Sequence, residues 1–202
     1  MTDAAAVVLA GGKSSRMGTN KALLKINKEM MLEGVIKVLA GTFPEIIISA
    51  NDNTYSGLKV KTVFDIFSDC GPLAGIHAGL MASSRKVNFF VACDMPFVDN
   101  RLAVYMVRLA SGFDVVVPKI GAYHQPLFAV YSTNCIKAIE RQLKSGRCKV
   151  DSFYNQVCTR FVGPEELQKF GDPETMFFNV NTPVDLEQAR FMAGRGNNGS
   201  AV

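Results

Sequence analysis

The sequence contains no apolar run long enough to cross a lipid bilayer, so no membrane association is expected. Near its start stands Asp3, where a secretory signal peptide would carry Lys or Arg, and we therefore expect a protein that is not exported. There is also no Cys-x-x-Cys pair, and the five cysteines are odd in number and widely spaced. This cysteine pattern disfavours a zinc site and indicates reduced thiols in the cytoplasm.

Positive charge is not concentrated in one block either. The net charge is +4, from 22 Lys and Arg against 18 Asp and Glu, and the cations are spread along the chain. The basic segments also lack the aromatic side chains on which bases stack, so nucleic-acid binding is not expected. Such a mild positive excess suits an anionic small molecule.

No internal repeat and no break in composition divides the chain. Its 202 residues, 48% of them hydrophobic and 20% charged, suffice for one well-buried domain. Short apolar runs alternate with longer amphipathic segments, which predicts an α/β fold with a mostly parallel central sheet and helices on both faces. We expect one domain over residues 1–193 and a disordered tail over 194–202, where GRGNNGSAV has no apolar pattern.

The predicted strands and helices follow one another in alternation. Strands are expected at residues 4–9, 45–50, 60–64, 87–92, 114–117, 127–131 and 158–162. Helices are expected at residues 31–39, 73–81, 102–109, 134–143 and 183 to about 191, with one further short helix between 149 and 171. Pro183 suits the first turn of the last helix, because its missing N–H has no partner there.

The stretch LAGGKSSRMGTNK, residues 9–21, follows the first predicted strand. It matches neither the Walker A loop nor the G-x-G-x-x-G dinucleotide fingerprint. Even so, Gly11 and Gly12 allow successive backbone N–H groups to converge on an anion without interference from a Cβ atom. Arg16 and Lys21 would add positive charge around a polyphosphate. For this loop alone, a solvated basic turn is an equally good interpretation.

Two further predicted strands lead into acidic residues. Asp65 closes one of them and precedes GPLAGI at residues 71–76, and Asp94 closes another within CDMPF at residues 93–97. Ligands of open parallel sheets bind beyond the carboxyl ends of the strands, so these ends are expected to face one crevice. Mg²⁺ needs only one or two carboxylates when phosphate oxygens and water fill its other positions. Together the three strand ends predict a metal–nucleotide site.

Four motifs resemble those of the molybdenum cofactor guanylyltransferases. They are LAGG-x-S-x-RMG-x-x-K at residues 9–21, GPLAGI at 71–76, CDMPF at 93–97 and NVNTPVDL at 179–186. The resemblance implies a single-domain, Rossmann-like nucleotidyltransferase fold. It also implies that GMP passes from GTP to molybdopterin, with Mg²⁺ as cofactor, to give molybdopterin guanine dinucleotide and pyrophosphate. The terminal phosphate of the pterin would attack the α-phosphorus in line, without a covalent enzyme intermediate.

The same resemblance implies roles for individual residues. Arg16, Lys21 and Asp94 would be catalytic, with Asp94 also holding the metal. The residues that would bind GTP are Leu9, Ala10, Gly11, Gly12, Lys21, Asn51, Asp65, Gly75 and Asp94. Asn179 and Asn181 would contact molybdopterin. The roles of Lys13, Ser14 and Ser15 stay open, as does the choice between Arg147 and Lys149 as the partner of the pterin phosphate.

Several of these residues also have an ordinary structural explanation. Asn51 lies in Asn-Asp-Asn, which is typical of a turn, and Gly75 could serve helix packing. Asn179 and Asn181 stand at the start of the last predicted helix, which Thr182 could cap by itself. The motif around His124 could equally be a strand start, and His77 is interpreted as a packing residue.

Other functions stay open beside guanylyl transfer. The nearest are cytidylyl transfer to the same cofactor and nucleotidyl transfer to a sugar or polyol phosphate. Cytidylyl relatives resemble LAAG and lack GPLAG, so Gly11 and the turn at residues 71–75 favour guanine. A non-catalytic nucleotide or cofactor carrier would not need Asp94 together with Lys21. As protein partners, the resemblance implies the molybdenum-inserting enzyme and the molybdoenzymes that receive the product.

Overall fold

The computed structural model describes residues 2–11 and 21–197. The strands are β1 Ala4–Leu9, β2 Lys25–Ile26, β3 Glu29–Met30, β4 Glu45–Ala50, β5 Lys61–Phe64, β6 Val87–Ala92, β7 Val115–Ile120, β8 Tyr123–His124, β9 Phe128–Ser132 and β10 Thr159–Val162. The helices are α1 Met31–Ala40, α2 Gly71–Ala82, α3 Asn100–Leu109, α4 Ile136–Lys144, α5 Pro164–Leu167, α6 Pro173–Met176 and α7 Pro183–Asn197. Short 3-10 turns cover Lys21–Leu23, Asn53–Tyr55, Thr133–Cys135 and Val150–Gln156.

The main sheet has the strand order β10-β7-β9-β6-β1-β4-β5. Strand β1 pairs in parallel with β4 and β6, β4 pairs in parallel with β5, and β10 pairs in parallel with β7. Strand β9 alone in this series runs antiparallel, against both β6 and β7. Strand β8 adds an antiparallel pairing at the end of β7. The predicted mostly parallel sheet is confirmed.

Helices cover both faces of the sheet, as predicted. Every residue of β1 is buried, because its side chains meet helices on either side and an apolar run without alternation is what such a strand requires. One face packs against α1 and α3, through side chains such as Leu32 and Leu102. The other packs against α2 and α4, through side chains such as Leu80 and Ile139. This arrangement leaves the carboxyl ends of β1, β4, β5 and β6 open at one edge.

Helix α2 lies so close to the sheet that Gly79 leaves no space for a side chain. A Cβ atom on Gly79 would lie 2.7 Å from Val7 Cγ1 and 2.9 Å from Phe90 Cε1. Gly79→Ala is therefore expected to lower the free energy of unfolding by about 1–3 kcal/mol, as overpacked cores do. Urea denaturation followed by circular dichroism measures this loss.

Gly34→Ala in α1 is the matched control for that substitution. The nearest atom to a Cβ on Gly34 is Glu29 Oε2 at 3.8 Å, which is ordinary contact. Alanine there should raise the free energy of unfolding by about 0.5–1 kcal/mol, because it favours the helix over glycine. Equal losses in both variants would show that close packing at Gly79 is not the cause.

Several features of the secondary structure differ from the sequence-based expectations, among them the short helix α6, which was not predicted. The hairpin of β2 and β3 was not predicted, because its turn places Asn27 and Lys28 at φ 50° and 78° without the usual glycine. The short strand β8 was not predicted either. Helix α7 continues to Asn197 instead of ending near residue 191, so residues 194–197, expected in the tail, are helical. Extending an existing helix is easier than starting one. Residues 198–202 lie outside the described part of the chain.

The cysteines also differ from the expectation of reduced thiols. A disulfide joins Cys70 to Cys148, whose Cα atoms are 4.9 Å apart although 78 residues separate them along the chain. Pairing over such a distance is set by the tertiary structure and cannot be deduced from spacing. Cys93 and Cys135 are free and buried, and Cys158 is free and exposed. Burial raises the pKa of the Cys93 and Cys135 thiols to about 12.

None of the helices within residues 2–11 and 21–197 combines the length and the apolar character that a membrane-spanning helix needs.

Candidate active site

A cavity of about 670 Å³ opens at the carboxyl ends of β1, β4, β5 and β6, and its volume is in the range of small-molecule sites. All of the predicted GTP-binding residues that the structure describes line it: Leu9, Ala10, Gly11, Lys21, Asn51, Asp65, Gly75 and Asp94. Gly12 and Arg16 lie outside the described residues, as do Lys13, Ser14 and Ser15. The prediction that several strand ends face one crevice is confirmed.

Backbone hydrogen bonds continue past the ends of the strands and hold this wall together. Ala10 N donates to Ser49 O at 2.8 Å, which joins the ends of β1 and β4. Cys93 N donates to Leu9 O at 3.0 Å, which joins the ends of β1 and β6. Residues 9–11 are thereby fixed between Ser49 and the Cys93–Asp94 turn.

Asn51 lies directly against the glycine of the first loop. A Cβ atom on Gly11 would lie 3.0 Å from Asn51 Oδ1 and 3.2 Å from its Cγ, so only glycine leaves the amide in this position. The turn that follows is capped by Asp52, whose Oδ1 accepts a hydrogen bond from Thr54 N at 2.9 Å. Within Asn-Asp-Asn, it is therefore the Asp52 side chain that stabilises the turn, whereas Asn51 lines the cavity.

Gly75 lies on the wall of the cavity, where α2 meets the sheet. A Cβ atom there would be 3.0 Å from Ser49 Oγ, 3.1 Å from Leu9 Cδ2 and 3.7 Å from Asp65 Oδ1. The close packing of α2 and the shape of the cavity thus both depend on this glycine. Ser49 also lines the cavity and was not predicted as a site residue. A hydroxyl at the end of the apolar run Ile46-Ile47-Ile48 is the signal that could have identified it.

Asp65 presents a buried carboxylate oxygen. Its Oδ1 has no hydrogen-bond partner in the part of the chain that the structure describes. Burial raises the pKa of Asp65, and the nearby Ser49 hydroxyl and His77 partly oppose this rise. Buried polar atoms are usually hydrogen-bonded, so this unpaired acceptor stands out on a residue that lines the cavity.

Lys21 and Asp94 form an ion pair at the side of the cavity. Lys21 Nζ lies 3.5 Å from Asp94 Oδ2, and the two side chains are 19% and 21% exposed. The same ammonium group donates to Asn181 Oδ1 at 2.6 Å. Burial raises the pKa of Asp94, and the positive charge of Lys21 opposes that rise. A cation and a carboxylate held side by side suit a bound polyphosphate with its metal ion.

The NVNTP segment is attached to the same place. Val180 N donates to Asp94 O at 2.9 Å. Asp185 Oδ2 accepts hydrogen bonds from the N–H groups of Asn181 and Thr182, each at 2.8 Å, and Thr182 Oγ1 accepts one from Asp185 N at 3.2 Å. Thr182 and Asp185 therefore form the start of α7 between them. The Asn181 side chain is not needed for that cap and contacts Lys21 instead.

Asn179 is placed differently from Asn181. Its amide Nδ2 donates to Phe177 O at 2.9 Å, a hydrogen bond that shapes the loop before α7. His77 is buried and lies 3.3 Å from Glu140 Oε1 of the neighbouring α4, which agrees with its interpretation as a packing residue. Among the described residues that line the cavity, neither Asn179 nor His77 is found.

A second polar group lies beyond Leu127, on the β9 side of the cavity. His124 Nδ1 is 3.3 Å from Asp151 Oδ2, and Lys149 Nζ is 3.2 Å from the same oxygen. The His124 ring stacks on Phe161 with centroids 5.1 Å apart. Arg147 Nε donates to Ser145 Oγ at 3.1 Å within its own loop. The charge of Lys149 is thus balanced by Asp151, whereas Arg147 forms no ion pair with an acidic side chain among the described residues.

Within residues 2–11 and 21–197, no group of three or more His, Cys, Asp or Glu side chains could hold a metal ion by itself. Any cation at Asp94 would therefore need oxygens from a ligand or from water. Mg²⁺ in nucleotide sites is bound in this way, with one or two carboxylates and the phosphates of the substrate.

Comparisons with known proteins agree with this geometry. Residues 6–157 match the model of the MobA-like NTP transferase domain family. A curated protein of Pelotomaculum thermopropionicum, named "Probable molybdenum cofactor guanylyltransferase", is 46% identical over 200 residues, which cover 98% of each chain. One of Desulfosudis oleivorans, named "Molybdenum cofactor guanylyltransferase", is 34% identical over 194 residues, covering 94% of this chain and 96% of that protein.

The solved structure of "Molybdopterin-guanine dinucleotide biosynthesis protein A" from Archaeoglobus fulgidus superposes with a TM-score of 0.84 and 26% identity, covering 95% of this chain and 99% of that one. This likeness confirms the nucleotidyltransferase fold that the motifs implied. The matching family model and the 46% identical relative confirm the resemblance as well. The chain belongs to the MobA-like NTP transferase family.

Proposed function

We propose that this protein transfers GMP from GTP to molybdopterin in its molybdenum-bearing form, giving molybdopterin guanine dinucleotide and pyrophosphate. The observation that carries the proposal is the Lys21–Asp94 pair beside a cavity whose other wall is formed by Asn51, Asp65 and Gly75. The Lys21 cation and the Asp94 carboxylate suit the triphosphate with its metal ion. The Asn51 amide and the Asp65 carboxylate suit the base. The names of the similar proteins support the same activity.

The guanine base would lie between Asn51 and Asp65. The unpaired Oδ1 of Asp65 is an acceptor, and guanine offers N–H donors on the edge that carries N1 and its exocyclic amine. Cytosine in the same orientation presents its acceptors N3 and O2 at these positions, with its amine at the opposite end of that edge, so it would leave the Asp65 oxygen unpaired. Gly11 and Gly75 leave space for the base by keeping Asn51 and Ser49 in place.

The phosphates would lie between the glycine loop and Lys21. Asp94 would hold Mg²⁺ together with phosphate oxygens of the nucleotide and water, since Mg²⁺ needs only one or two carboxylates in such sites. When bound, Mg²⁺ supplies positive charge to the leaving pyrophosphate. Lys21 would neutralise charge on the reacting phosphates, and its hydrogen bond to Asn181 would keep its ammonium group in position. Arg16, from the first loop, would add a bidentate contact.

The acceptor would approach from the side of Asn181 and Leu127. We assign Asn179 and Asn181 to the molybdopterin side, together with Arg147, because Lys149 is already paired with Asp151. The attacking phosphate oxygen is ionised at neutral pH, so the reaction needs orientation and charge neutralisation and no general base. We further place the protein in the cytoplasm, with the molybdenum-inserting enzyme and the receiving molybdoenzymes as its partners.

Gly11→Ala is expected to raise KM for GTP about tenfold while changing kcat little. The added Cβ would lie 3.0 Å from Asn51 Oδ1, so the amide must move away from the base, and losing one such contact is worth about 1.4 kcal/mol. Steady-state kinetics with GTP and CTP measure this change. Gly41→Ala, at a position with no atom within 4 Å of a Cβ, is the control and should leave both constants unchanged.

The proposed reaction is tested by incubating the protein with molybdopterin and each of the four α-labelled nucleoside triphosphates, with Mg²⁺ first omitted and then restored. Label should pass to the pterin from GTP, only with Mg²⁺ present, with one pyrophosphate released per product. Tight binding of GTP without any transfer would instead support a nucleotide carrier. Transfer of label without added metal would remove Mg²⁺ from the account.

A further inference from the structure

Two cysteines that are distant in the sequence meet at the rim of the cavity. Cys70 directly precedes α2 and stands between Asp69 and Gly71, both of which line the cavity. Cys148 lies in the loop after α4. The two Cα atoms are 4.9 Å apart, within the range that a disulfide requires, and the two residues are joined.

Cys70 and Cys148 are also placed where a thiol can react. Both residues are partly exposed, so a small thiol or disulfide can reach them. Cys70 occupies the N-cap position of a helix of 12 residues, where the helix dipole stabilises a thiolate. Arg147 and Lys149 flank Cys148 and favour its thiolate in the same way.

The other cysteines lack one of these properties. Cys93 and Cys135 are 8% and 0% exposed, so oxidants do not reach them. Cys158 is exposed, but it is a free cysteine and is not paired with another thiol. Oxidation is therefore selective for one pair, and the chain supplies its own control in Cys158.

The bond acts on a segment that contributes directly to the cavity. Ser68, Asp69, Gly71 and Pro72 all line it on either side of Cys70. Asp69 and Gly71 have φ values of 59° and 53°, a left-handed conformation that a non-glycine residue adopts only at some cost. A cross-link to Cys148 would hold this rim in its observed conformation, next to the loop that carries Arg147.

We infer that Cys70 and Cys148 are a reversible oxidation site, and that their disulfide raises the affinity of the cavity for its nucleotide by ordering the rim before binding. The co-reactant is a low-molecular-weight disulfide such as oxidised glutathione. The Cys70 thiolate attacks one sulfur of that disulfide and releases one thiol. The Cys148 thiolate then displaces the second thiol, so two protein thiols are oxidised, one disulfide is reduced, and the two protons pass to the released thiolates.

An ordered rim lowers the conformational entropy that binding must otherwise remove. The oxidised protein should therefore bind GTP roughly two- to tenfold more tightly than the reduced protein. The choice of GTP as ligand rests on the proposed function, whereas formation of the bond does not.

The first measurement tests the bond without reference to the nucleotide. Wild type, Cys70→Ser, Cys148→Ser and Cys158→Ser are equilibrated with reduced or oxidised glutathione, quenched in acid, alkylated and analysed by peptide mass mapping. Oxidised wild type and Cys158→Ser should yield one cross-linked peptide pair containing residues 70 and 148, and the other two variants should not. Full alkylation of both cysteines in the oxidised wild type would overturn the proposal, as would a cross-link through Cys158.

The second measurement is the dissociation constant of GTP, determined by titration calorimetry for the same samples. Oxidised wild type and oxidised Cys158→Ser should bind more tightly than their reduced forms. Cys70→Ser and Cys148→Ser should bind like the reduced wild type in both conditions. Equal affinity of the two wild-type forms would overturn the role of the rim. Absence of GTP binding in every sample would contradict the proposed function as well, while the mass analysis would still decide whether the bond forms.

Discussion

Asp94→Asn is expected to lower kcat about a thousandfold and to leave the fold intact. The substitution keeps the size of the side chain and removes its charge beside Lys21, with which it forms an ion pair at 3.5 Å. Among the described residues, the other acidic groups that line the cavity are Asp65 and Asp69. Both follow strand β5, so they do not replace a carboxylate beside Lys21. Release of pyrophosphate from GTP in the presence of molybdopterin measures the loss.

Asp3→Asn is the matched control for this variant. Asp3 precedes the opposite end of β1 from Leu9, and its side chain is 92% exposed. Its replacement removes the same charge, together with an ion pair to Arg85, without approaching the cavity, so kcat should stay close to the wild-type value. Thermal unfolding of both variants shows whether either has lost stability. Substantial turnover by folded Asp94→Asn would remove Asp94 from the mechanism.

Lys21→Met should lower kcat/KM for GTP by roughly two to three orders of magnitude. The ammonium group contacts both Asp94 and Asn181. Among the residues that the structure describes, Lys21 is the only Lys or Arg that lines the cavity. Methionine keeps the length of the side chain, but it cannot neutralise phosphate charge and cannot donate a hydrogen bond to Asn181 Oδ1. Both KM and kcat should change, because the charge acts on the bound triphosphate and on the leaving pyrophosphate.

Lys25→Met, at an exposed position of strand β2 four residues further on, tests whether the effect of Lys21→Met is specific. It removes the same charge from the same part of the chain and should leave the kinetics of GTP unchanged. Isothermal titration with GTP separates binding from turnover in each variant. Normal binding and normal turnover in Lys21→Met would undo the assignment of Lys21 to the triphosphate.

The elements that the sequence predicts best are those in the centre of the sheet. Strands β1, β4 and β6 have the bounds expected from their apolar runs, because a strand buried on both faces must be continuously apolar. Helix α1 differs from its prediction by one residue at its end. In these elements, burial and local propensity favour the same structure.

Features set by contacts between distant residues could not be predicted in the same way. Strand β9 runs antiparallel to both of its neighbours, β6 and β7, yet nothing in its composition distinguishes it from the other strands of the sheet. Its direction depends on which strands lie next to it in the folded chain. The cross-link between Cys70 and Cys148 depends equally on two loops that meet only in the folded chain. Local patterns carry no information on either contact.

The candidate site was predictable as a set of residues but not as a set of contacts. The motifs identify Lys21, Asp94 and Asn181, yet only the structure shows that the Lys21 ammonium group joins the other two. For Gly75, the sequence leaves packing and nucleotide binding as alternatives. The structure shows that they are one constraint, since a Cβ would meet both Ser49 and Leu9 on the cavity wall.

The most direct measurement of the central claim is a competition between GTP and CTP. The protein is given molybdopterin, Mg²⁺ and an equimolar mixture of the two nucleotides. The dinucleotide products are then separated, and their amounts are measured by mass spectrometry. The arrangement of Asn51, Asp65 and Gly11 predicts that molybdopterin guanine dinucleotide exceeds the cytosine product by at least about a hundredfold, as expected where the wrong base leaves buried polar groups unpaired. Equal amounts, or an excess of the cytosine product, would contradict the assignment of this site to guanylyl transfer.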